Sequence, residues 1–144
     1  MSATAGSAES QRNVAGRLGI VPGAAVQELG YDEDCDEELR LAVVERSGNE
    51  LLGAAAAAVD VVDVVLLWWR EDDGDLVDAL VDALGPLAAN GVIWVLSPKA
   101  GRPGHVEPSD ISEAAQTAGL NQTRTISAGR EWSGARLVAR GARR

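Results

Sequence analysis

The sequence predicts an α/β fold built on one mostly parallel sheet, and three observations support this. The segment from Val59 to Arg70, VDVVDVVLLWWR, has a long apolar stretch without polar alternation, which is typical of a strand buried on both faces. A second apolar run, 92–96, has the same character. Stretches with helical spacing separate such runs along the chain, as in repeated strand–helix units.

One domain is expected from a chain of 144 residues, because this length can bury one sizeable core. Residues 1–12 are mostly small and polar without periodicity, and we expect a disordered tail there. The domain is then predicted to span residues 13–140. Residues 141–144, GARR, are predicted to form a short basic tail.

The first elements follow from apolar spacing and glycines. A short helix is predicted from Ser10, ending at Gly19 as a C-cap. Residues 24–30 predict a strand, which leads into an acidic loop at 31–36. Asp36 is a plausible N-cap for the helix that follows.

The segment before the long apolar strand is the hardest to assign. Residues 50–54 suggest a second strand, and the alanine run 54–58 suggests a turn or one helical turn. After the apolar strand, Asp75 is predicted to cap a helix that ends at Gly85.

The C-terminal half predicts one more strand, a long loop, a helix and a hairpin. Residues 97–108 contain three prolines, and a loop of this length is often functional. A helix is expected to begin at Pro108 or Ser109. Residues 122–128 and 135–140 predict two antiparallel strands at the edge of the sheet.

The net charge of −9 argues against nucleic acid or an anionic membrane as the main partner. The charge is uneven, since seven of the residues 28–38 are acidic while 121–144 carry six arginines and one acid. The N-terminal residues have no apolar core that could serve as a signal peptide, and no apolar run is long enough for a membrane span. Cys35 is the single cysteine, so a cytoplasmic protein is expected.

Several short sequence segments resemble those of class I SAM-dependent methyltransferases, which have a Rossmann-like fold. AVQELGY resembles the first strand and glycine loop of that family, VDVVLLWW its fourth strand, and LGPLAANGVIWVL the approach to its fifth. The resemblance implies a three-layer sandwich with a C-terminal antiparallel hairpin, and a cofactor held by Glu28 and Gly30. The whole chain also resembles a family of small, acidic, uncharacterised proteins from high-G+C bacteria, through its LLWWR and SPKAGRPGHVEPSDI stretches.

Departures from the methyltransferase pattern argue against cofactor binding. Gly30 is the one glycine kept in the loop, because Asp32 and Asp34 stand where further glycines are expected. The stretch between the strand predicted at 50–54 and the long apolar strand is also too short for a further helix and strand. The predicted fold is therefore a truncated methyltransferase-like Rossmann sandwich.

Three polar or aromatic clusters follow the predicted strands, at the sheet edge where α/β proteins bind ligands. The candidate ligand-binding residues of this predicted crevice are Trp68, Trp69, Arg70, Lys99, Arg102 and His105. Each has a structural alternative. The two tryptophans point to opposite faces, so one or both can be core residues; Arg70 can pair with the acidic loop; and His105 can make a loop hydrogen bond.

Catalytic and metal sites are not predicted. His105 has no partners for a metal site or a nucleophile–base pair, and the acidic loop lacks the spacing of an EF-hand. Cys35 lies among acids that disfavour its thiolate.

The prediction is therefore a non-catalytic binding or regulatory protein, without a cofactor, that recognises a small ligand or a protein. Two alternatives stay open. One is a small methyltransferase that binds S-adenosylmethionine, and the other is an adaptor that uses its acidic face and arginine tail.

Overall fold

The computed structural model describes residues 2–53 and 61–139, with the side chains of the first helix described from Ser10 onward. The alanine run 54–58 and the basic tail 141–144 lie outside the described residues. In chain order, the elements are α1 (Ser2–Arg17), β1 (Val26–Leu29), α2 (Glu37–Ser47), β2 (Val62–Trp68), α3 (Leu76–Leu84), β3 (Leu87–Pro98), α4 (Pro108–Thr117), β4 (Leu120–Ser127) and β5 (Trp132–Ala139).

The five strands form one mixed sheet in the order β1-β2-β3-β5-β4. β2 pairs in parallel with β1 and β3, with Val64 opposite both Val26 and Val92. β5 pairs antiparallel with β3 and with β4. The predicted α/β class and the C-terminal antiparallel hairpin are confirmed, and β4 forms one edge. The sheet is mixed rather than mostly parallel, because two of its four strand pairings are parallel and two are antiparallel.

Helices cover both faces of the sheet, which gives three layers. One core lies under α1 and α2, where Leu18 and Leu39 pack with Trp68 and Trp94 of the sheet. The other core lies under α3 and α4, where Leu80 packs against the apolar side chains on that face of the sheet. β2 and β3 contribute alternate residues to both cores, which explains why they are apolar throughout.

The predicted helix starts are confirmed at α2 and α3. Asp36 accepts a hydrogen bond from the Leu39 amide at 3.0 Å, and Asp75 accepts one from the Val77 amide at 2.9 Å. These bonds satisfy amides that have no partner inside the helix. The helices are thereby fixed close to the ends of β1 and β2.

Two predictions about the N-terminal half are wrong. α1 begins at Ser2, so residues 2–12 are helical rather than a disordered tail; their alanines are strong helix formers, and they continue a helix anchored in the core by Val14 and Leu18. The strand predicted at 50–54 is reduced, among the described residues, to a single parallel bridge between Leu52 and Gln27. In the described part of the chain, no helix has the length and apolar character needed to cross a membrane.

Candidate functional site

The carboxyl ends of the three parallel strands meet at one edge of the sheet. β1 runs into the acidic loop 30–36, β2 into residues 69–75, and β3 into the loop 99–107. In open α/β sheets this edge is where ligands bind. The three loops therefore lie next to one another, as the sequence predicts.

Glu28, which the resemblance assigns to the cofactor, is engaged by the protein itself. One carboxylate oxygen accepts hydrogen bonds from Arg40 Nε at 2.6 Å and from Trp68 Nε1 at 2.9 Å. The other oxygen accepts from Arg40 Nη2 at 2.9 Å. The Glu28 side chain is 7% exposed. We call Glu28, Arg40 and Trp68 the Glu28 cluster.

Arg40 makes two further contacts, with Glu37 and with Tyr31. Its Nη1 pairs with Glu37 at 2.8 Å, and its guanidinium lies 4.0 Å above the ring of Tyr31. The pKa of Arg40 is raised, first because it hydrogen-bonds to Glu28. The Glu28 cluster is therefore a charge-assisted network fixed between β1, β2 and α2.

Arg70 ties the end of β2 to the acidic loop. Its Nη2 and Nε meet the two carboxylate oxygens of Asp34 at 2.6 and 3.1 Å. Its Nη1 donates to the Gly30 carbonyl at 2.8 Å and to Asp73 at 3.1 Å. We call Arg70, Asp34 and Asp73 the Arg70 cluster. Of the two roles predicted for Arg70, the structure has the pairing within the protein.

The charges of the Arg70 cluster stabilise one another. The hydrogen bond from Arg70 lowers the pKa of Asp34. Burial alone would lower the pKa of Arg70, but the bonds to Asp34 and Asp73 outweigh it and raise that pKa. The pKa of Cys35 is raised to about 11, first by burial. The predicted poor reactivity of this thiol thus has burial, more than the nearby acids, as its cause.

Gly30 is required by the packing of the protein itself. Its φ is +77°, and a Cβ built there would lie 2.3 Å from the carbonyl oxygen of Trp68. The resemblance assigns this glycine to close approach of a cofactor, whereas in the structure the closely approaching group is the backbone of β2.

Trp68 and Trp69 lie on opposite faces of the sheet, as predicted. Trp68 is 0% exposed and meets Trp132 edge-to-face at 4.8 Å between ring centroids. Trp69 is 8% exposed and packs in the core under α3 and α4. Both are core residues, and neither offers an open ring face to a ligand.

The three predicted residues of the loop 99–107 have separate partners. Lys99 Nζ donates to the Ser127 hydroxyl at 2.7 Å, and Arg102 pairs with Glu131 at 3.2 Å. The Nδ1 of His105 lies 2.9 Å from the Pro98 carbonyl, which is the predicted loop hydrogen bond. The six candidates therefore do not converge on one crevice, since Trp68, Trp69 and Arg70 border one depression and His105 lines another cleft.

The carboxyl ends of β1 and β2 keep an open depression of about 320 Å³ beside Gly30 and Arg70. A separate cleft of about 360 Å³ lies between the loop, the start of α4 and the β4–β5 hairpin. We call it the hairpin cleft. His105 lines the hairpin cleft, whereas Trp68, Trp69 and Arg70 border the depression. Within the described ranges, no group of three or more acidic, His or Cys side chains could hold a metal ion.

The sequence analysis did not identify Arg40, which completes the Glu28 cluster. Its spacing of three residues from Glu37 on α2 indicated an ion pair, but the pairing with Glu28 joins two elements and depends on the tertiary fold.

A comparison with known families identifies the chain's relatives. A family model described as a protein of unknown function, DUF3052, matches residues 15–141. The chain belongs to the DUF3052 family. Uncharacterized proteins of Mycobacterium tuberculosis and Mycobacterium bovis are each 53% identical to it over 131 residues, covering 91% of this chain and 81% of theirs. The predicted resemblance to an uncharacterised family is confirmed.

Solved structures similar to this DUF3052 protein include methyltransferases. A SAM-dependent methyltransferase from Aquifex aeolicus has a TM-score of 0.61 at 14% identity, over 88% of both chains. The pyocyanin biosynthetic protein PhzM has a TM-score of 0.64 at 14% identity, over 90% of this chain and 54% of its own. At such identities the likeness establishes the fold, and the methyltransferase-like Rossmann prediction is confirmed.

Proposed function

We propose that this DUF3052 protein is a non-catalytic binding or regulatory protein whose methyltransferase-like fold has lost cofactor binding. The observation that carries the proposal is the Glu28 cluster. Both oxygens of the acid that would face a cofactor already accept hydrogen bonds, three in all and none longer than 2.9 Å, from Arg40 and Trp68. The Glu28 side chain is 7% exposed, so a ligand hydroxyl has little access to the accepting capacity that these bonds leave.

The Arg70 cluster supports the same proposal. In the loop after β1, where glycines would let a ligand approach the backbone, Asp34 is held in a bidentate pair with Arg70. Opening this loop would break the bidentate pair between Arg70, whose side chain is 14% exposed, and Asp34, whose side chain is 50% exposed.

The second candidate function is a small SAM-dependent methyltransferase, which the structural similarity favours. One related structure, the O-methyltransferase NcsB1, was solved with S-adenosylmethionine, and it has a TM-score of 0.60 over 81% of this chain. Fold similarity alone does not establish activity. The two candidates differ in whether the edge formed by β1 and β2 binds the cofactor.

Isothermal titration calorimetry of the full chain with S-adenosylmethionine and S-adenosylhomocysteine distinguishes them. We expect no saturable heat at ligand concentrations up to about 1 mM, a level that would detect even weak binding. Saturable binding that Glu28→Gln abolishes and Glu71→Gln preserves would establish the methyltransferase alternative. Glu71 is the matched control because it is an exposed glutamate just beyond β2.

A further inference from the structure

We propose that the hairpin cleft binds a small, neutral molecule with an apolar body and a hydrogen-bonding edge. This inference deepens the proposed binding function by naming a site and a ligand class. It depends on residues distinct from the Glu28 and Arg70 clusters, so a cofactor titration and a test of the cleft can fail independently.

The walls of the hairpin cleft are apolar and come from three parts of the fold. Pro98 ends β3, Val106 belongs to the loop, and Ile111 belongs to α4. Val106 and Ile111 are 8% and 5% exposed, so they are fixed in the core rather than loose on the surface. The volume of about 360 Å³ is within the range of small-molecule sites.

The floor of the hairpin cleft carries hydroxyl groups. Ser97, Thr125 and Ser133 share one face of the sheet, since Thr125 pairs with Ala135 and Ser97 with Ser133 in register. None of the three hydroxyls makes a hydrogen bond to another described residue. On the same face, Ile93 precedes Ser97 in β3 and its partner Leu137 follows Ser133 in β5, and both are apolar and buried under the helices.

The burial of Ser97 distinguishes the floor of the cleft from an ordinary solvent-facing strand. A strand face turned to water also carries polar residues, but such residues are exposed, whereas Ser97 is 4% exposed. Among the described side chains, Gln27 Oε1 is the one fully buried oxygen or nitrogen without a partner, so the Ser97 hydroxyl stays accessible through the opening of the cleft. Lining the cleft without a protein partner, the Ser97 hydroxyl is available to a ligand.

His105 adds a group of defined polarity. The Pro98 carbonyl can only accept, so the Nδ1 of His105, 2.9 Å away, carries the hydrogen. The Nε2 is then the ring nitrogen left for another partner, and Glu107 is 3.7 Å from it. The loop that carries His105 is held by backbone bonds from Glu71 N to Gly104 O and from Lys99 N to Glu131 O, both 3.0 Å.

The charges indicate the ligand class. Among the described residues that line the cleft there is no Asp, Glu, Lys or Arg, although 24% of the chain is charged. One positive and one negative group lie just outside this lining, since Lys99 Nζ is 2.7 Å from the Ser127 hydroxyl and Glu107 is 3.7 Å from His105. The uncharged lining, with its hydroxyls and the imidazole, suits a neutral molecule that carries a hydroxyl or an amide.

The test uses phenol as the neutral probe, with fluorobenzene, benzoate and benzylamine for comparison, followed by amide chemical shifts of the ¹⁵N-labelled full chain. We expect saturable phenol shifts at the cleft residues, with a dissociation constant on the order of 1–10 mM for so small a ligand. Thr125→Trp, which fills the cleft, should abolish these shifts. Thr123→Trp, on the same strand but outside the cleft, should preserve them.

Ser97→Ala separates recognition from structure. It should weaken phenol binding about threefold to tenfold, as expected for a lost hydrogen bond, and leave fluorobenzene binding unchanged. The proposal is overturned if phenol gives no saturable shifts, if its shifts survive Thr125→Trp, or if benzoate or benzylamine binds the cleft more tightly than phenol. Equal weakening of phenol and fluorobenzene by Ser97→Ala would overturn the role of this hydroxyl.

Discussion

Individual side chains at the ends of β1 and β2 determine what this edge of the sheet can bind. Arg40 and Arg70 each bring a guanidinium to a carboxylate, and together they join β1, β2, α2 and the acidic loop. Guanidinium–carboxylate pairs in this bidentate geometry are specific as well as strong. The loops at this edge are therefore held by electrostatic pairs, beside an open depression of about 320 Å³.

Replacing Arg70 should lower the stability of the fold, because its guanidinium makes five hydrogen bonds to groups of the loops that follow β1 and β2. We expect Arg70→Ala to lower the free energy of unfolding by about 2 kcal/mol, and Arg70→Lys by about 1 kcal/mol since an ammonium cannot make the bidentate pair. Urea denaturation measures both. Arg130→Ala is the control, since Arg130 is exposed in the β4–β5 turn and should change stability little. Equal effects at the two positions would contradict the role of the Arg70 cluster.

The lowered pKa of Asp34 predicts a pH dependence of stability. Its pKa is below the ordinary value of about 3.9 in the folded protein, so its contribution is fully present above that value and is lost as pH falls through the lowered pKa. The difference in unfolding free energy between wild type and Asp34→Asn should be constant between about pH 5 and 7 and shrink in more acidic solution. A difference that grows on acidification would show that the sign is wrong.

Substitution of Gly30 tests whether close packing of its backbone against that of β2 stabilises the acidic loop. Gly30→Ala should destabilise by more than about 3 kcal/mol, because a positive φ and a clash with the Trp68 carbonyl act together. Gly48→Ala is the matched control, since its φ is +78° but nothing lies within 4 Å of a built Cβ, and it should cost about 1–2 kcal/mol. Thermal or urea unfolding of the two variants compares them. Equal losses would mean that the contact with β2 is unimportant.

Among the secondary-structure elements, β2 connects the two cores and the edge. Its last residue, Trp68, packs under α1 and α2 and donates to Glu28, while Trp69 packs under α3 and α4. Both indoles therefore serve stability, but Trp68 alone of the two belongs to the Glu28 cluster.

Conservative substitutions separate these contributions. We expect Trp69→Phe to lower the free energy of unfolding by about 1 kcal/mol through lost packing, and Trp68→Phe by about 2 kcal/mol, because the hydrogen bond to Glu28 is lost as well. Equilibrium denaturation followed by far-ultraviolet circular dichroism gives both values. A larger loss for Trp69→Phe would contradict the structural role of the Trp68 indole nitrogen.

Local chemistry made most elements predictable from the sequence. β2 was identified by its uninterrupted apolar run, and the starts of α2 and α3 by Asp36 and Asp75, because strand burial and helix capping depend on nearby residues. The helical N-terminus and the single bridge at Leu52 were missed. Both depend on what the segment packs against rather than on its own pattern.

The site was less predictable, because it depends on side chains from distant elements. The pairing of Arg70 with the acidic loop was among the alternatives that charge suggested, whereas Arg40 reaches Glu28 through the packing of α2 beside β1. The hairpin cleft brings Ser97, Thr125 and Ser133 together through strand register, which apolar periodicity in one chain segment does not reveal.

Taken as a whole, the molecule keeps the layered core of a methyltransferase-like fold and uses the usual cofactor edge for its own ion pairs. The sheet order and both cores agree with that fold, while the Glu28 and Arg70 clusters hold the loops that would receive a cofactor. In the proposed function, these few side chains are what prevents cofactor binding. The indole N–H of Trp68 is a direct reporter of the Glu28 cluster, because it donates to Glu28.

The decisive experiment is a nuclear magnetic resonance titration of the indole N–H signal of Trp68, assigned with Trp68→Phe, against S-adenosylhomocysteine. If the protein's own groups close this edge, the signal will keep its position up to about 1 mM ligand. A saturable shift with a dissociation constant below about 100 µM would show instead that the cofactor reaches Glu28 and that the edge is open.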